Sequence, residues 1–165
     1  MAGWTRYSQT GFSIAAPATF TPDPTHDYQS LGPGKDIKGF ALIIPAALAK
    51  GTNLGGDSYI AVETLPGASP CTAAPFLDSP TVAPTVTTNG ITYSVATSSD
   101  AGAGNFYDET VYAVQGSSPC LGVRYFIHST NIANYDPGTV KAFDRAALIA
   151  QFDAIRATLT VDQAK

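Results

Sequence analysis

Five side chains on two neighbouring segments are suited to recognising a ligand: Tyr107 and Glu109 within Asn105 to Gln115, and Arg124, Phe126 and His128 within Leu121 to Ser129. Both segments alternate in polarity, and Gly116-Ser117-Ser118-Pro119 joins them, which is the pattern of an antiparallel hairpin. A symmetric turn between Gln115 and Cys120 sets Tyr107 opposite His128, Glu109 opposite Phe126 and Val111 opposite Arg124. Alternation then gathers these six residues on one face and leaves Thr110, Tyr112, Val114, Leu121, Val123, Tyr125 and Ile127 for the core. The chemistry expected of the polar face is binding. Arg124 and His128 would meet an anionic or carbonyl group, and Tyr107 or Phe126 would stack on a ring. The alternative is an ordinary outer face with a cross-strand Glu109/Arg124 pair worth under about 1 kcal/mol. A bulge near Gly102-Ala103-Gly104 would shift the register, whereas a plain glycine-rich connection would leave it intact.

Other arrangements are less complete. His128 with Ser94 or Ser129 and one of Asp100, Asp108 or Asp136 makes a hydrolytic triad on paper, but triads are defined by geometry, and the sequence has no Gly-x-Ser-x-Gly elbow. Asp108 and Glu109 alternate to opposite faces of one strand, so they are not the facing carboxylates of a glycosidase. Gly32-Pro33-Gly34-Lys35-Asp36 lacks the first glycine and the hydroxyl residue of a P-loop and reads as a turn. His26-Asp27 sits in a proline-rich stretch, and two cysteines and two histidines are too few for a metal cluster of standard spacing. No catalytic residue, metal ligand or cofactor is assigned.

The elements that must position the face follow from patterning. Trp4 to Ala16 reads as a hairpin about Gly11, Pro22 to Lys38 as loop, Gly39 to Ile44 as a buried strand, and Pro45 to Lys50 as one helical turn. Tyr59 to Leu65 alternates as a strand. Five prolines between Pro66 and Pro84 leave room only for a short helix around Cys71 to Asp78. Asn89-Gly90 marks a tight turn before the strand Ile91 to Thr97. Near the C-terminus, Leu148, Phe152, Ile155 and Leu159 fall on one helical stripe, with Asp144 at the N-cap and Phe143 placed to staple onto Leu148. A helix with one apolar stripe must cover a sheet. The expected fold is α+β: a twisted antiparallel β-sheet covered by a C-terminal amphipathic helix and short helices, in one domain over residues 4–161.

Composition bounds the function classes. The chain of 165 residues is 13% charged with a net charge of −4, and its Lys and Arg are scattered, so nucleic-acid binding lacks its main attractive term. No run approaches the eighteen or so apolar residues of a spanning helix, so no transmembrane segment is expected. Each of the two cysteines, Cys71 and Cys120, follows a Ser-Pro dipeptide, which suggests loop positions that are partly exposed. Paired, they would close a loop worth about 4 kcal/mol, in a bond that persists only in an oxidising compartment; the other reading is two buried free thiols. Met1-Ala2-Gly3 reads as an expression start replacing a removed signal peptide. The expected location is extracytoplasmic: periplasmic, secreted or lipid-anchored at the cell envelope.

The opening Tyr7-Ser8-Gln9-Thr10-Gly11-Phe12-Ser13-Ile14-Ala15-Ala16-Pro17 resembles that of PsbP-like envelope proteins. Asn89 to Val114, Arg124 to His128, and Tyr135-Asp136-Pro137-Gly138-Thr139-Val140-Lys141 through Phe143-Asp144 to Leu159 resemble a group of uncharacterised bacterial exported or lipid-anchored proteins. The resemblance implies a PsbP-like sandwich and an exported location, with no catalytic residues to carry over and no photosystem role.

The leading functional expectation is an exported cell-envelope module without catalytic activity that binds an envelope protein or small ligand. Two alternatives come from other classes: a hydrolase using His128 beside Arg124 and Tyr107, and an inhibitor of a secreted enzyme that inserts a disulfide-fixed loop around Ser69 to Asp78.

Overall fold

The computed structural model describes residues 1–162. Its elements in chain order are β1 (Trp4–Gln9), β2 (Phe12–Pro17), β3 (Thr21–Asp23), β4 (Asp27–Tyr28), β5 (Ile37–Ile43), α1 (Ala46–Ala49), β6 (Tyr59–Leu65), β7 (Thr81–Thr88), β8 (Ile91–Gly102), β9 (Asn105–Val114), β10 (Cys120–Thr130), α2 (Arg145–Arg156) and β11 (Thr160–Val161). The architecture is mostly antiparallel β-sheet with few helices. An eight-stranded sheet runs β3-β5-β6-β10-β9-β8-β7, with β4 also on β5, and a three-stranded sheet runs β1-β2-β11.

Two turns fix the long central meander. Asn89-Gly90 joins β7 to β8 and Ala103-Gly104 joins β8 to β9, each with both φ angles positive (50° and 81°, 53° and 78°). Two-residue loops of this kind match the twist of the flanking strands, which is why Asn-Gly suits the first. The second gives an unbulged pairing from Gly102↔Asn105 to Tyr93↔Val114, so the glycine-rich segment is a connection. The β9–β10 hairpin then pairs Tyr107↔His128, Glu109↔Phe126 and Val111↔Arg124, the register expected from the symmetric turn.

One face of the main sheet carries Val123, Tyr125 and Ile127 of β10 with Ile60 and Val62 of β6, and it forms one core with Ile14 of β2 and Leu148, Phe152 and Ile155 of α2. Burying Phe152 and Ile155, both at 0% exposure, contributes roughly 1.5–3 kcal/mol each. Helix α2 begins where its sequence says it should. Asp144 accepts from the Ala147 amide at 2.9 Å, and Phe143 packs on the core. At its other end Arg156 lies over the Tyr112 ring at 4.1 Å and donates to the Tyr125 hydroxyl at 2.8 Å. That hydroxyl donates to Asp153 at 2.7 Å, closing a polar clamp between helix and sheet.

The opposite face holds a second, smaller core. Phe76, Ala73 and Leu77 of the 66–80 segment pack with Tyr28 and Ile37 onto Ala96, Val111 and Ala113. Cys71 and Cys120 are joined by a disulfide. They are 5% and 0% exposed, which corrects the expectation of partly exposed loop cysteines: Cys120 opens β10 and turns into this core, and Cys71 follows it.

Other expectations also needed correction. The short helix expected over Cys71 to Asp78 is a single 3-10 turn at Ala74–Phe76. The Pro22 to Lys38 stretch contains β4 and the end of β3, which pair along β5. The proline-rich reading up to Pro84 hides the edge strand β7, whose register shifts between Ala83 and Val86. Pro84 lacks the N–H a regular ladder needs, and an irregular edge strand tolerates that.

Candidate functional site

The five site residues do share a face, but the structure divides them into two groups. Arg124 and Glu109 belong to a closed ionic cluster. The Arg124 Nε donates to Glu63 Oε1 at 2.8 Å, its Nη2 donates to Glu63 Oε2 at 2.9 Å, and its Nη1 donates to Glu109 Oε1 at 2.9 Å. Nη2 also donates to the Phe76 carbonyl at 2.7 Å. Below the guanidinium plane lies the Tyr28 ring, with its centroid 3.5 Å from Cζ. Tyr28 itself donates to Glu109 Oε2 at 3.1 Å, and His26 Nε2 meets Glu63 Oε1 at 2.9 Å.

Arg124 and Glu63 are both 0% exposed. The expectation that Arg124 would meet a ligand is therefore corrected, as is the weak surface pair with Glu109. Every nitrogen of the guanidinium is already engaged, and the dominant partner, Glu63, comes from the other neighbouring strand. Burial alone would push the Arg124 pKa down, but the Glu63 charge and hydrogen bonds outweigh it and hold the guanidinium firmly charged. For Glu109 burial wins over the pull of Arg124 and Tyr28, and its carboxyl sits above the ordinary glutamate value. Burial also pushes the Tyr28 hydroxyl up to about 12.

Small residues make room for this cluster. A Cβ on Gly122 would stand 2.7 Å from the Phe76 ring, and one on Gly39 would stand 2.9 Å from the Glu63 Cα. Phe76 therefore lies directly on the β10 backbone with its carbonyl turned to Arg124. The cluster fastens the 66–80 segment to the sheet with the disulfide. Within that segment Phe76 is fully buried against the sheet, while Ser69, Pro70, Pro75 and Asp78 are exposed.

Tyr107, Phe126 and His128 form the second group, further along the same face, and Tyr59 joins them. Tyr59 and Phe126 stack at 4.8 Å and Tyr107 and His128 at 4.6 Å, with Phe126 and Tyr107 tilted at 6.0 Å between the pairs. The result is a ribbon of rings across β6, β10 and β9, all partly exposed. Burial raises the Tyr59 pKa, with the Glu63 charge adding to it, so this hydroxyl stays neutral.

His128 ends the ribbon. Its Nδ1 lies 2.7 Å from Asp57 Oδ1 and its Nε2 2.8 Å from Asn105 Oδ1. The Asn105 amide is oriented by Nδ2 donating to the Ala103 carbonyl at 3.2 Å, which leaves its oxygen for the imidazole. Both ring nitrogens therefore face acceptors, an arrangement that anchors the ring.

The serines named with His128 lie elsewhere. Ser94 accepts from the Ala73 amide at 3.1 Å, and Ser129 points to the other face. Asp108 bonds Ser99 and Arg145 on that other face. Asp57 and Glu63 went unnoticed in the sequence as partners. A lone glutamate within the apolar strand Tyr59 to Leu65 was the available signal for Glu63. Among the described residues no group of three or more His, Cys, Asp or Glu is placed to hold a metal ion, and no helix is long and apolar enough to cross a membrane.

The chain matches no family model and no curated protein. Among solved structures it is similar to a crystal structure from Bacteroides thetaiotaomicron, at 12% identity and a TM-score of 0.50, over 99% of this chain and 50% of that one. The likeness supports the sheet-rich fold, and the chain spans half the length of that protein.

Proposed function

We propose that the protein is a cell-envelope module that binds a partner without catalysing a reaction, through the ring ribbon Tyr59–Phe126–Tyr107–His128. The carrying observation is the division of labour on one sheet face. Arg124, Glu63 and Glu109 bond one another internally, while the ribbon offers partly exposed aromatic surface with the carboxylate of Asp57 and the amide of Asn105 at its end. Aromatic rings held rigidly by their neighbours are the side chains that contribute most to recognition per residue ordered.

An extracytoplasmic setting belongs to the same proposal. The disulfide between Cys71 and Cys120 and the lack of a membrane-crossing helix among the described residues are compatible with it. The finer fold reading, an α+β sandwich of the PsbP-like kind, is supported by the Trp4 to Pro17 hairpin and by α2 against the sheet.

The test is retention of solubilised cell-envelope components by the immobilised chain, followed by Kd measurement with each purified component. Tyr107→Ala is expected to weaken binding about tenfold or more, a loss of ~1.4 kcal/mol. An unchanged Kd would remove the ribbon from the binding surface.

A further inference from the structure

On the opposite face of the same hairpin, a cleft of about 420 Å³ opens between the ends of β8 and β9 and the start of α2. Phe106 and Phe143 provide apolar walls, and Phe106 is 41% exposed. Asp108 crosses the floor, accepting from Ser99 Oγ at 2.9 Å and from Arg145 Nη1 at 3.0 Å. Ser129 completes the lining. It is only 7% exposed and lines the cleft. A hydroxyl lining the cleft, on a face otherwise made of Leu121, Val123, Tyr125 and Ile127, is a place where a ligand's polar atom can bind.

We infer that this cleft is a binding site for a neutral saccharide. Three features select that chemistry. The Arg145 charge is already matched by Asp108, and Asp100 also lines the cleft, so the site offers no surplus positive charge to an anion. Asp108 and Arg145 lie side by side as acceptor and donor, the pair that adjacent sugar hydroxyls satisfy because each both donates and accepts. The Phe106 and Phe143 rings suit the apolar C–H face of a pyranose, and the volume falls in the range of about 300–1,000 Å³ of small-ligand sites. The inference rests on the reading of the protein as a binding module and deepens it by naming a ligand class and a second face.

The test is a titration of the isotope-labelled chain with methyl glucoside, methyl galactoside, N-acetylglucosamine, maltose and cellobiose, followed by amide NMR shifts, with benzoate as the anionic comparison. Saturable shifts at Ser99, Phe106, Ser129 and Arg145 with a Kd on the order of 1 mM are expected for at least one sugar. Phe106→Ala, at an exposed position, should weaken binding about tenfold or more, and Ser129→Ala should weaken it less. Tyr107→Ala on the other face should leave it unchanged. The saccharide assignment is overturned if no sugar gives a saturable response, if the response survives Phe106→Ala, or if benzoate alone binds. Because Tyr107→Ala reports separately on the ribbon, the failure of one site is distinguishable from the failure of the other.

Discussion

Arg124 and Glu63 lie side by side, joined by N–H···O contacts of 2.8 and 2.9 Å, with neither side chain exposed. Their strands bring them together on the face opposite the main core: Gly122 pairs with Glu63, and Arg124 stands two residues further along. A buried pair of this kind contributes little over a well-packed apolar substitute, but loss of one partner strands the other's charge. Glu63→Ala is therefore expected to destabilise the fold by about 3–5 kcal/mol, measured by urea unfolding. Glu63→Leu combined with Arg124→Met and Glu109→Leu should recover most of that loss.

The Glu109 carboxyl, raised by burial, sets a pH dependence of known sign. Between its ordinary value and its raised folded value, the folded chain keeps a proton that the unfolded chain has released. Stability contributed through Glu109 is thus present at low pH and declines as pH rises through that window. Carbon NMR titration of Glu109 should show a midpoint above the ordinary glutamate value of 4.5, and this falling component of the stability curve should vanish in Glu109→Gln.

The Cys71–Cys120 bond closes a sequence separation of 49 residues, which the chain-entropy model values at about 4 kcal/mol. Replacing both cysteines by serine should lower the denaturation midpoint accordingly. It should also raise amide exchange in the 66–80 segment first, because that segment would then be held only by non-covalent contacts: Phe76 in the second core, its carbonyl on Arg124, and the Ala73 amide on Ser94. Equal protection of that segment with and without the bond would refute the stapling role.

Ala103 occupies the first central position of the β8–β9 turn at a φ of 53°, where a Cβ is disfavoured and Asn or Gly is preferred. Ala103→Asn should stabilise the protein by about 1 kcal/mol. Thermal denaturation measures it, and a lower midpoint would contradict the turn assignment.

The hairpin carrying the site is legible in the sequence because its information is local. Alternation over Asn105 to Gln115 and Leu121 to Ser129, with a glycine-proline turn between them, fixes which residues face one another. The role of Arg124 is not local. It depends on β6 pairing with β10, and strand order is set by distant contacts that period-two patterning does not encode. Glu63 thus looks like one polar residue in an apolar strand until Gly39 and Gly122 flank it. The same holds for the cysteines: Ser-Pro describes their immediate neighbours, whereas their burial comes from the 66–80 segment folding down onto Ala96, Val111 and Ala113. Strand β7 is masked by Pro84, whose cost is relieved by an irregular edge that no local pattern reveals.

The central claim, that the His128 end of the sheet binds without catalysing, is tested most directly by mass spectrometry of a purified bound component incubated with the wild-type chain and with His128→Ala. The account predicts a component of unchanged mass in both incubations, with weaker retention by His128→Ala. A component cleaved by the wild type and left intact by His128→Ala would contradict it and establish a hydrolase.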